Sequence, residues 1–424
     1  MNRNIAEPRA AGTTAANGDA DGRAVRGATA PPPEVALLTG ADDRSYALGL
    51  TNALAARGIR VDFIGSDQVD GPELHGTPLV TFLNLRGDQS TGAGAPQKVL
   101  RILRYYLRLL AYAVSARPRL FHILWNNKFE HIDRTLLMLW YRLLGRRVVM
   151  TAHNVNAAKR DGRDSAWNRF TLSMQYRLCS HLFVHTQRMR DELCSDFGMA
   201  PEKISVIPFG INNTSPTTPL TGAQARERLD LPAGARVMLF FGQIAPYKGL
   251  EHLVTALPEL MRDDESLHLL IAGKVKKGCE AYWANIEAQL DAPSVAARVT
   301  RRIEHIPDED VEVYFKAADV LVIPYVHIFQ SGVPFLAYSF GLPVVATDVG
   351  ALREDIVENR TGLICRPQDP ADLARAVKAF FSSEIYRNLA HARQDIQAYA
   401  NDRYSWARVA AITDTAYRRV SARP

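Results

Sequence analysis

The sequence predicts an α/β protein built from two doubly wound parallel sheets. From residue 34 onward, short β-branched runs alternate with stretches of helical periodicity, a pattern typical of parallel strands joined by crossover helices. The alternation stops once, at 212–220, where Asn-Asn-Thr-Ser-Pro-Thr-Thr-Pro-Leu has the composition of a linker. The length of 424 residues accommodates two to three domains of roughly 100–200 residues each.

Seven strands and five helices are predicted before the linker. A short continuous apolar run is typical of a strand buried on both faces, whereas apolar residues three and four positions apart predict a helix. The predicted strands cover residues 35–38, 60–64, 79–83, 120–125, 148–152, 181–185 and 204–208. The predicted helices cover residues 46–57, 98–115, 134–144, 166–179 and 189–197.

The same pattern restarts after the linker and predicts six more strands. These cover residues 236–241, 267–272, 299–305, 320–324, 343–346 and 362–365. The helices between and after them are predicted at 249–260, 282–290, 309–317, 335–340 and 370–381. We therefore divide the chain into a first Rossmann-like half at 34–213 and a second at 214–390, followed by a C-terminal helix at 391–424.

Three features of the sequence predict the cellular location: residues 1–33, the length of the apolar runs and the cysteines. The first 33 residues are rich in Ala, Gly, Arg and Asp and end in three prolines, so we interpret them as a disordered tail without the apolar centre of a secretory signal. No apolar run approaches the roughly 20 residues that cross a bilayer. Four scattered cysteines without a Cys-x-x-Cys motif favour reduced thiols in the cytoplasm.

Positive charge is concentrated in one segment. Eleven Lys and Arg residues face only two acids between Ala95 and Met150, a net charge of +9, while the whole chain carries +6. The basic character is therefore local. It predicts an anionic partner for one face of the first half and argues against a general nucleic-acid binder.

Three loops in the second half have the composition of an anion site. In parallel sheets, ligands bind beyond the carboxyl ends of the strands. One such loop runs from a strand to Lys248 at a helix start, the second holds Ser331, Gly332 and Pro334 before the next helix, and the third contains Gly350. Helix N-termini and a lysine together favour a phosphate-bearing ligand, although a glycine loop after one strand is more often only a turn.

The order of these segments resembles the retaining glycosyltransferases of the GT-B fold, in particular family 4. The resemblance covers the chain from about Val35 to its C-terminus. It rests on the following segments: Glu-Lys-Ile-Ser-Val-Ile-Pro-Phe-Gly-Ile at 202–211, Phe-Phe-Gly-Gln-Ile at 240–244 with Lys-Gly at 248–249, Ala-Asp-Val-Leu-Val-Ile-Pro at 318–324, Phe-Gly-Leu-Pro-Val-Val-Ala-Thr at 340–347, Thr-Gly-Leu-Ile-Cys at 361–365 and Asp-Pro at 369–370.

The resemblance implies transfer of a sugar from a nucleotide-sugar in a cleft between the two halves, with no metal and no cofactor besides this co-substrate. It also implies a nucleotide-sugar donor in the second half. The residues expected at the donor diphosphate are Gln243, Lys248, Gln330, Ser331, Gly332 and Val333. The nucleoside and sugar are expected near Gly273, Ile303, His327 and Gly350. The C-terminal helix is expected to cross back onto the first half, with Trp406 as a packing residue.

Two departures from the family accompany this resemblance. Gln243 stands where many members carry Arg, so one expected positive charge is missing. The family's two glutamates, eight residues apart, fall on Ile328 and Leu336. The segment 330–333 keeps the backbone amides for a diphosphate, but the usual carboxylates for the donor ribose and near the sugar are absent.

In the first half, the resemblance places His153 close to the reacting sugar. A neutral imidazole there accepts a hydrogen bond from a sugar hydroxyl; the alternative is a histidine that caps a strand end. Asp43 is a second catalytic candidate that orients an acceptor hydroxyl, or else a solvated loop acid. Candidates on the acceptor side are Gly40, Arg44, Lys159 and Arg160. The alternative for Lys159 and Arg160 is an exposed charged loop without a binding role.

The helix predicted at 98–115 carries a charged stripe beside a wide apolar face. Lys98, Arg101, Arg104 and Arg108 fall within an arc of about 120° at about 100° per residue. This pattern suits a peripheral helix on the anionic inner face of the plasma membrane, from which the protein reaches a lipid-linked acceptor. The alternative is an ordinary amphipathic helix with its apolar face in the core and its arginines in water.

The sequence thus predicts a glycosyltransferase that builds a surface glycan. A phosphorylase or epimerase of the same two-lobed shape is a second enzyme class, which no residue favours. A third hypothesis is a nucleotide-sugar-binding protein or partner subunit without turnover of its own, because the two glutamates are missing.

Overall fold

Two parallel sheets form the centre of the structure, one in each half of the chain. In the computed structural model, which describes residues 34–40, 44–89, 94–160, 162–211, 217–328 and 330–422, the first sheet has the strand order β3-β2-β1-β4-β5-β6-β7 and the second β10-β9-β8-β11-β12-β13. Every strand pair is parallel. The strand order reverses beside β1 and beside β8, where doubly wound sheets open a crevice for ligands. The predicted fold class is confirmed.

The first sheet consists of seven strands: β1 Glu34–Leu38, β2 Arg60–Gly65, β3 Val80–Asn84, β4 Leu120–Ile123, β5 Arg147–Thr151, β6 His181–Val184 and β7 Ile204–Val206. Its helices are α1 Arg44–Ala56, α2 Ala95–Ser115, α3 Glu130–Ile132, α4 Met138–Leu143, α5 Ala157–Arg160, α6 Ala166–Leu178 and α7 Gln187–Phe197. Short 3-10 turns occur at Pro72–Leu74 and Pro201–Lys203.

The second sheet consists of six strands: β8 Arg236–Phe241, β9 Leu267–Ala272, β10 Val299–Arg302, β11 Val320–Ile323, β12 Val344–Thr347 and β13 Gly362–Cys365. The helices after β7 are α8 Gly222–Arg228, α9 Leu250–Asp263, α10 Glu280–Leu290, α11 Val311–Ala317, α12 Val333–Ser339, α13 Leu352–Asp355, α14 Pro370–Ser382, α15 Glu384–Arg387, α16 Leu389–Arg403 and α17 Trp406–Ala422. Two 3-10 turns, Pro246–Lys248 and Ala296–Arg298, also belong to this part of the chain.

Each sheet is covered by apolar residues on both faces. In β1, Val35 and Leu37 pack on one side while Ala36 and Leu38 pack on the other, because successive side chains of a strand point to opposite faces. Successive residues of β11 divide in the same way between two further clusters. This double burial explains why the strands read as continuous apolar runs in the sequence.

The four-residue helices α5, α13 and α15 were not predicted, and three longer helical regions also differ from the prediction. The helix expected at 134–144 begins earlier, with α3, and contains a five-residue π-helical segment, Asp133–Leu137, before α4. The helix α8 was not predicted, although Thr221 and Gln224 form a capping box at its start. The single helix expected over 391–424 is wrong: α16 and α17 are separate helices, and the first packs against α12 in the second half.

The final helix returns to the first half and fixes its place there. The hydroxyl of Tyr417 lies 2.6 Å from Nδ1 of His122 on β4, and both side chains are buried. At the start of α17, the ring of Trp406 fills the space beside Gly49 of α1 and Gly210, where any Cβ would lie within 2.4 Å of it. The packing role predicted for Trp406 therefore has a clear physical basis.

No helix among the described residues has both the length and the apolar character to span a bilayer. The predicted tail at 1–33 and the predicted boundary at 213–214 fall outside the described residues.

Candidate functional site

Two adjoining cavities lie between the halves, at the carboxyl ends of the strands. The first has a volume of about 360 Å³ and is lined by Ser45 and Tyr46 from α1, by Trp406, and by loops of the second half that include Lys248 and 330–333. The second, of about 640 Å³, lies between α7 and the loops that follow β11 and β12. Ile328 borders both cavities, so we treat them as two parts of one candidate site.

Lys248 places a buried cation in the wall of the first cavity. Its side chain is 7% exposed, and its ammonium group donates to the hydroxyl of Tyr325 at 2.6 Å and lies 3.9 Å from the centroid of the same ring. Within the described residues, no carboxylate forms an ion pair with it. An unpaired buried charge is unfavourable, so this position favours an anionic ligand.

Glycines allow the loop before Lys248 to lie against its neighbour. A Cβ on Gly273, whose φ is +142°, would lie 2.0 Å from the carbonyl oxygen of Gly242, so only glycine fits there. Beyond this contact, Ile244 exchanges two backbone hydrogen bonds with the loop after β9, to Lys274 and from Lys276, each 2.9 Å long. The neighbouring loop thereby holds the segment that presents Lys248.

The segment from Gln330 to Val333 forms the opposite wall of the first cavity. The side chain of Ser331 is buried, and its hydroxyl accepts a 3.4 Å hydrogen bond from the backbone N–H of Val333 at the start of α12. Gln330 donates through Nε2 to a carboxylate oxygen of Asp355 at 3.0 Å. Its own Oε1 is buried and has no hydrogen-bond partner among the described residues, so Gln330 offers an unused acceptor at the cavity.

Burial of Asp355 raises the pKa of its carboxyl to about 7, an effect that the hydrogen bond from Gln330 only partly opposes. The negative charge of Glu354 next to it acts in the same direction. The carboxyl group of Asp355, which orients Gln330, therefore changes its protonation state near neutral pH.

His153 and His185 form a hydrogen-bonded pair in the first half. Nδ1 of His153 lies 3.0 Å from Nε2 of His185, and Nδ1 of His185 lies 3.3 Å from the carbonyl oxygen of Ile207. A carbonyl only accepts, so Nδ1 of His185 carries its proton and Nε2 accepts from Nδ1–H of His153. Nε2 of His153 is then a bare acceptor, and it is buried without a hydrogen-bond partner among the described residues.

Burial keeps both imidazoles neutral. It lowers the pKa of His153 well below its usual value, with a further contribution from His185, and it lowers the pKa of His185 to about 4. A neutral His153 presents a lone pair where a protonated one would present a donor. The neutral state agrees with the predicted imidazole. Contact with a ligand hydroxyl stays a prediction, because Nε2 is buried and His153 lines neither cavity.

Aromatic rings fix the orientation of His153. The ring of Trp125 is parallel to it at 4.3 Å, and the ring of Tyr46 meets it edge-on at 4.7 Å. Gly40, with φ at +70°, lies so close to Trp125 that a Cβ would be 2.3 Å from that residue's Cβ. His153 does not itself line the first cavity; it touches Tyr46, which does.

The second cavity brings together further candidates from both halves. His327 and Gly350 line it from the second half, and Lys159 lines it from the first. The ammonium group of Lys159 pairs with Asp196 at 3.0 Å and lies 3.9 Å from Glu192, so its charge is already matched by acids. Beside this cavity, the carboxylate of Glu354 accepts hydrogen bonds from the backbone N–H groups of Gln187 and Arg188 at the start of α7.

Five further candidates lie away from both cavities or outside the described residues. Gln243 is exposed and lines neither cavity, and Ile303 packs at the edge of the core. Arg44 forms a 3.3 Å ion pair with Glu73 on the surface of the first half. Asp43 and the side chain of Arg160 lie outside the described part of the chain.

Three residues that shape the site were not predicted from the sequence: Tyr325, His185 and Asp355. A signal for His185 was present, because Thr151 pairs with Phe183 in adjacent parallel strands and this register, continued by two residues, sets His153 opposite His185. Tyr325 similarly follows β11, which neighbours β8. No sequence pattern predicts a role for Asp355, because its burial against Gln330 arises only from tertiary packing.

The described residues contain no cluster of three or more His, Cys, Asp or Glu side chains arranged to hold a metal ion.

Two family models match the chain, one in each half. Residues 44–214 match Glycosyltransferase Family 4, and residues 235–383 match Glycosyl transferases group 1. The chain belongs to the group 1, family 4 glycosyltransferases. Together the two matches take in both sheets, except the first strand, and every loop that borders the two cavities.

Among curated members of this family, the D-inositol 3-phosphate glycosyltransferase of Streptosporangium roseum is 28% identical over 242 residues, which are 55% of this chain and 54% of that protein. The glycogen synthase of Mycobacterium tuberculosis is 28% identical over 279 residues, which are 64% of this chain and 62% of that protein. The matched region thus spans between about half and two thirds of the length of these relatives.

Solved structures share the fold over nearly the whole chain. Sucrose-phosphate synthase from Thermosynechococcus elongatus is 21% identical, with a TM-score of 0.68, and the alignment covers 92% of this chain and 99% of that one. Anabaena HepE, in complex with UDP and glucose, is 18% identical with a TM-score of 0.68, over 91% and 99% of the two chains. Both support the GT-B fold.

Proposed function

We propose that this protein transfers a sugar from a nucleotide-diphosphate-sugar donor to an acceptor in the cleft between its halves. The observation that carries the proposal is the buried ammonium group of Lys248, which has no carboxylate partner among the described residues and borders a cavity of about 360 Å³. Both cavities have volumes within the range of ligand pockets, roughly 300–1,000 Å³.

The diphosphate is the part of the donor that Lys248 and the segment 330–333 suit best. A cation and a neighbouring helix start stabilise phosphate charge together. The relatives support a nucleotide-sugar donor, since HepE is described in complexes with UDP and with UDP-glucose. We assign the nucleoside and sugar to the adjoining region around His327 and Gly350.

His153 is the residue we assign to the sugar. Its bare Nε2 is suited to accept from a sugar hydroxyl, which would orient the donor without adding charge. Retention of the anomeric configuration and independence from metal are further parts of this proposal, taken from the family resemblance. Because the glutamate pair is absent, neutral groups must orient the ribose and the sugar. Gln330, within the segment 330–333, is one such group.

For the acceptor we propose a lipid-linked or surface-glycan intermediate. The support is the net charge of +9 between Ala95 and Met150, with only two acids, which suits anionic lipid or a lipid diphosphate. Polysaccharide assembly on the inner face of the plasma membrane is the process in which such an acceptor occurs.

The alternative is a nucleotide-sugar-binding protein or partner subunit without turnover. Calorimetry with UDP and other nucleoside diphosphates tests donor binding, and release of nucleoside diphosphate from the matching sugar donors tests turnover. Binding followed by sugar transfer supports the proposal. Binding without any sugar release selects the alternative, and no binding of any nucleoside diphosphate overturns both.

A further inference from the structure

The large apolar side chains that remain exposed are confined to one region. Among the described residues, every exposed Val, Leu, Ile, Phe or Trp belongs to three neighbouring helical segments of the first half. We call this set the apolar face. It consists of Val99, Leu100, Leu103, Leu107, Val114, Phe129, Ile132, Leu136, Leu139, Leu143, Trp167 and Phe170. Scattered exposed apolar residues are normal, but a contiguous set of this size marks an interaction site.

The helix α2 turns most of its leucines to solvent. Its contacts with the core are made by Tyr105, Leu109 and Ala113, which are buried, while its members of the apolar face occupy an arc of about 100° on the other side. The sequence left open an ordinary amphipathic helix with its apolar side in the core. The burial of α2 contradicts that alternative, because Leu103 and Leu107 are 55% and 57% exposed.

A second row lies beside the first. Phe129, Ile132, Leu136, Leu139 and Leu143 follow one another at intervals of three and four residues, which places them on one side of the helical segment that contains α3 and α4. Leu136 and Leu143 are the most exposed members of this row, at 65% and 81%.

Contacts between the two segments align these rows. The hydroxyl of Tyr106 donates to the carboxylate of Asp133 at 2.9 Å, and Nε1 of Trp140 lies 3.5 Å from the carbonyl oxygen of Leu110. The contacts advance in the same direction along both segments, so the helices run parallel and their exposed rows lie side by side.

The third row extends the face onto α6. The rings of Trp167 and Phe170 stack at 5.6 Å, and Trp167 lies 6.1 Å from the ring of His131 at the α3 segment. Both side chains are more than half exposed. Tryptophan and phenylalanine at the edge of an apolar surface are typical of proteins that rest in the interface of a bilayer.

The charge around the apolar face is mainly positive, although Arg101 of α2 is paired with Asp88 at 2.7 Å. Arg104 and Arg108 are exposed on α2 next to its leucines. The two acids of the segment are occupied: Glu130 pairs with Arg134, and Asp133 is buried and bonded to Tyr106 and the backbone of Asn127. A second copy of this chain would oppose one basic rim to another, which is unfavourable. An anionic lipid surface neutralises the rim and covers the leucines.

We propose that the apolar face inserts into the interfacial region of an anionic bilayer. Binding then has two components, burial of the leucine rows and attraction of the basic rim to lipid headgroups. The proposal goes beyond a charged stripe on one helix, because most of the contact surface is apolar and spans three helices.

The topology also orients the cleft. Each helix of a parallel sheet starts at the carboxyl edge of the strand before it, so the starts of α2, α3 and α6 lie at the edge where the two cavities open. Phe129 and Trp167 are at these starts. Insertion of the apolar face therefore brings the mouth of the cleft to the level of lipid headgroups.

The test is co-sedimentation of the full chain, without nucleotide, with vesicles of phosphatidylcholine alone or mixed with phosphatidylglycerol. We expect binding to the mixed vesicles that salt weakens but does not abolish. The variant with Leu103→Gln, Leu107→Gln, Leu136→Gln and Leu143→Gln should bind at least about tenfold more weakly. It should remain folded, because these side chains lie outside the core.

Arg104→Gln with Arg108→Gln should remove mainly the salt-sensitive part of binding. Arg228→Gln with Arg262→Gln removes the same charge from the second half and should bind like the wild type. No vesicle binding by the wild type, or equal binding by the fourfold leucine variant, overturns the proposal. A wild-type dimer that this variant dissociates, without vesicle binding, identifies the apolar face as a self-association surface instead. Because nucleotide is absent, either result is independent of sugar transfer.

Discussion

Nδ1 of His153 lies 3.0 Å from Nε2 of His185, and this contact joins the ends of two neighbouring strands. The carbonyl of Ile207 fixes the proton on His185, which fixes the proton on His153 and leaves its Nε2 as an acceptor. The backbone carbonyl of Ile207 thus acts through His185 and makes Nε2 of His153 a hydrogen-bond acceptor.

His153→Phe should abolish sugar transfer and leave the affinity for nucleoside diphosphate nearly unchanged, because the substitution removes the acceptor atom while the ring still stacks on Trp125. Activity and calorimetric titration on the same preparation measure the two effects. His122→Phe, at a buried histidine away from both cavities, controls for the loss of an imidazole from the first half. Equal loss of nucleoside-diphosphate affinity and turnover in His153→Phe would contradict the assigned role.

The rate of sugar transfer should not fall between pH 8 and pH 6 through protonation of His153. Burial holds its pKa well below the usual value, so the imidazole stays neutral over this interval. The measurement is the pH profile of kcat/KM for the wild type. A step near the ordinary histidine pKa of about 6.5 that disappears in His185→Phe would show that the pair does titrate there.

Lys248→Met should weaken binding of the nucleoside diphosphate on the order of 10–100-fold, since a charge-assisted contact contributes roughly 1.5–3 kcal/mol. The unliganded variant should be at least as stable as the wild type, because an unpaired buried ammonium group is replaced by an apolar chain of similar length. Calorimetry and thermal unfolding measure the two quantities.

The matched control is Lys276→Met, which removes an exposed ammonium group lying 5.6 Å from the ring of Tyr247. It should bind the nucleoside diphosphate like the wild type. If Lys248→Met binds normally, or if it unfolds at a clearly lower temperature without ligand, the ammonium group serves the fold and not an anion.

Asp355 should make the protein less stable as pH rises from 5 to 8. Its folded-state pKa of about 7 is above the ordinary value, so the folded chain holds a proton that the unfolded chain has lost, and this contribution disappears as pH rises through 7. Asp355→Asn has no carboxyl group there, so its stability does not change with pH for this reason. The stability of the variant relative to the wild type should therefore increase by on the order of 2 kcal/mol between pH 5 and pH 8.

Urea unfolding of both proteins at the two pH values measures this difference. Asp402→Asn, at an exposed position of α16, should follow the wild type at both. A constant difference between wild type and Asp355→Asn would mean that Asp355 stays in one protonation state over this range.

Gly49→Ala should destabilise the protein although alanine is ordinarily the better helix former by up to ~1 kcal/mol. A Cβ at Gly49 would lie 2.2 Å from the ring of Trp406, and overpacking of this kind costs about 1–3 kcal/mol. Chemical unfolding measures the change in the free energy of unfolding and shows whether the substitution stabilises or destabilises the protein. Gly234→Ala, where a Cβ meets nothing within 4 Å, should be neutral or stabilising; a stabilised Gly49→Ala would show that Trp406 moves aside.

The two sheets could be predicted from the sequence because strands buried on both faces need continuous apolar runs. Such runs at β1 and β11 are visible without any structure. The π-helical segment at Asp133–Leu137 and the break between α16 and α17 could not be predicted, since local periodicity does not reveal where a helix must bend to follow a neighbour. Gly273 was a candidate from its position, but its contact with Gly242 requires coordinates.

The candidate site divides in the same way. Lys248 and Ser331 were predicted because each follows a strand, and strand ends of a parallel sheet meet at one edge. His153 also follows a strand, but its role came from the family resemblance. Arg44 was predicted from its position after a strand and Gln243 from the resemblance, yet Arg44 forms a surface ion pair and Gln243 is exposed away from both cavities. Position along the chain gives the edge of the sheet, but not the direction in which a side chain points.

The sequence by itself determined the fold class, the family and the edge of each sheet at which the candidate site lies, because these depend on the order of apolar runs and glycine loops along one dimension. Only the tertiary structure decided that Tyr325 meets Lys248, that Asp355 is buried beneath Gln330, and that the leucines of α2 face solvent. Those relations depend on which surfaces remain uncovered after residues far apart in the chain have packed, and no local pattern records that outcome.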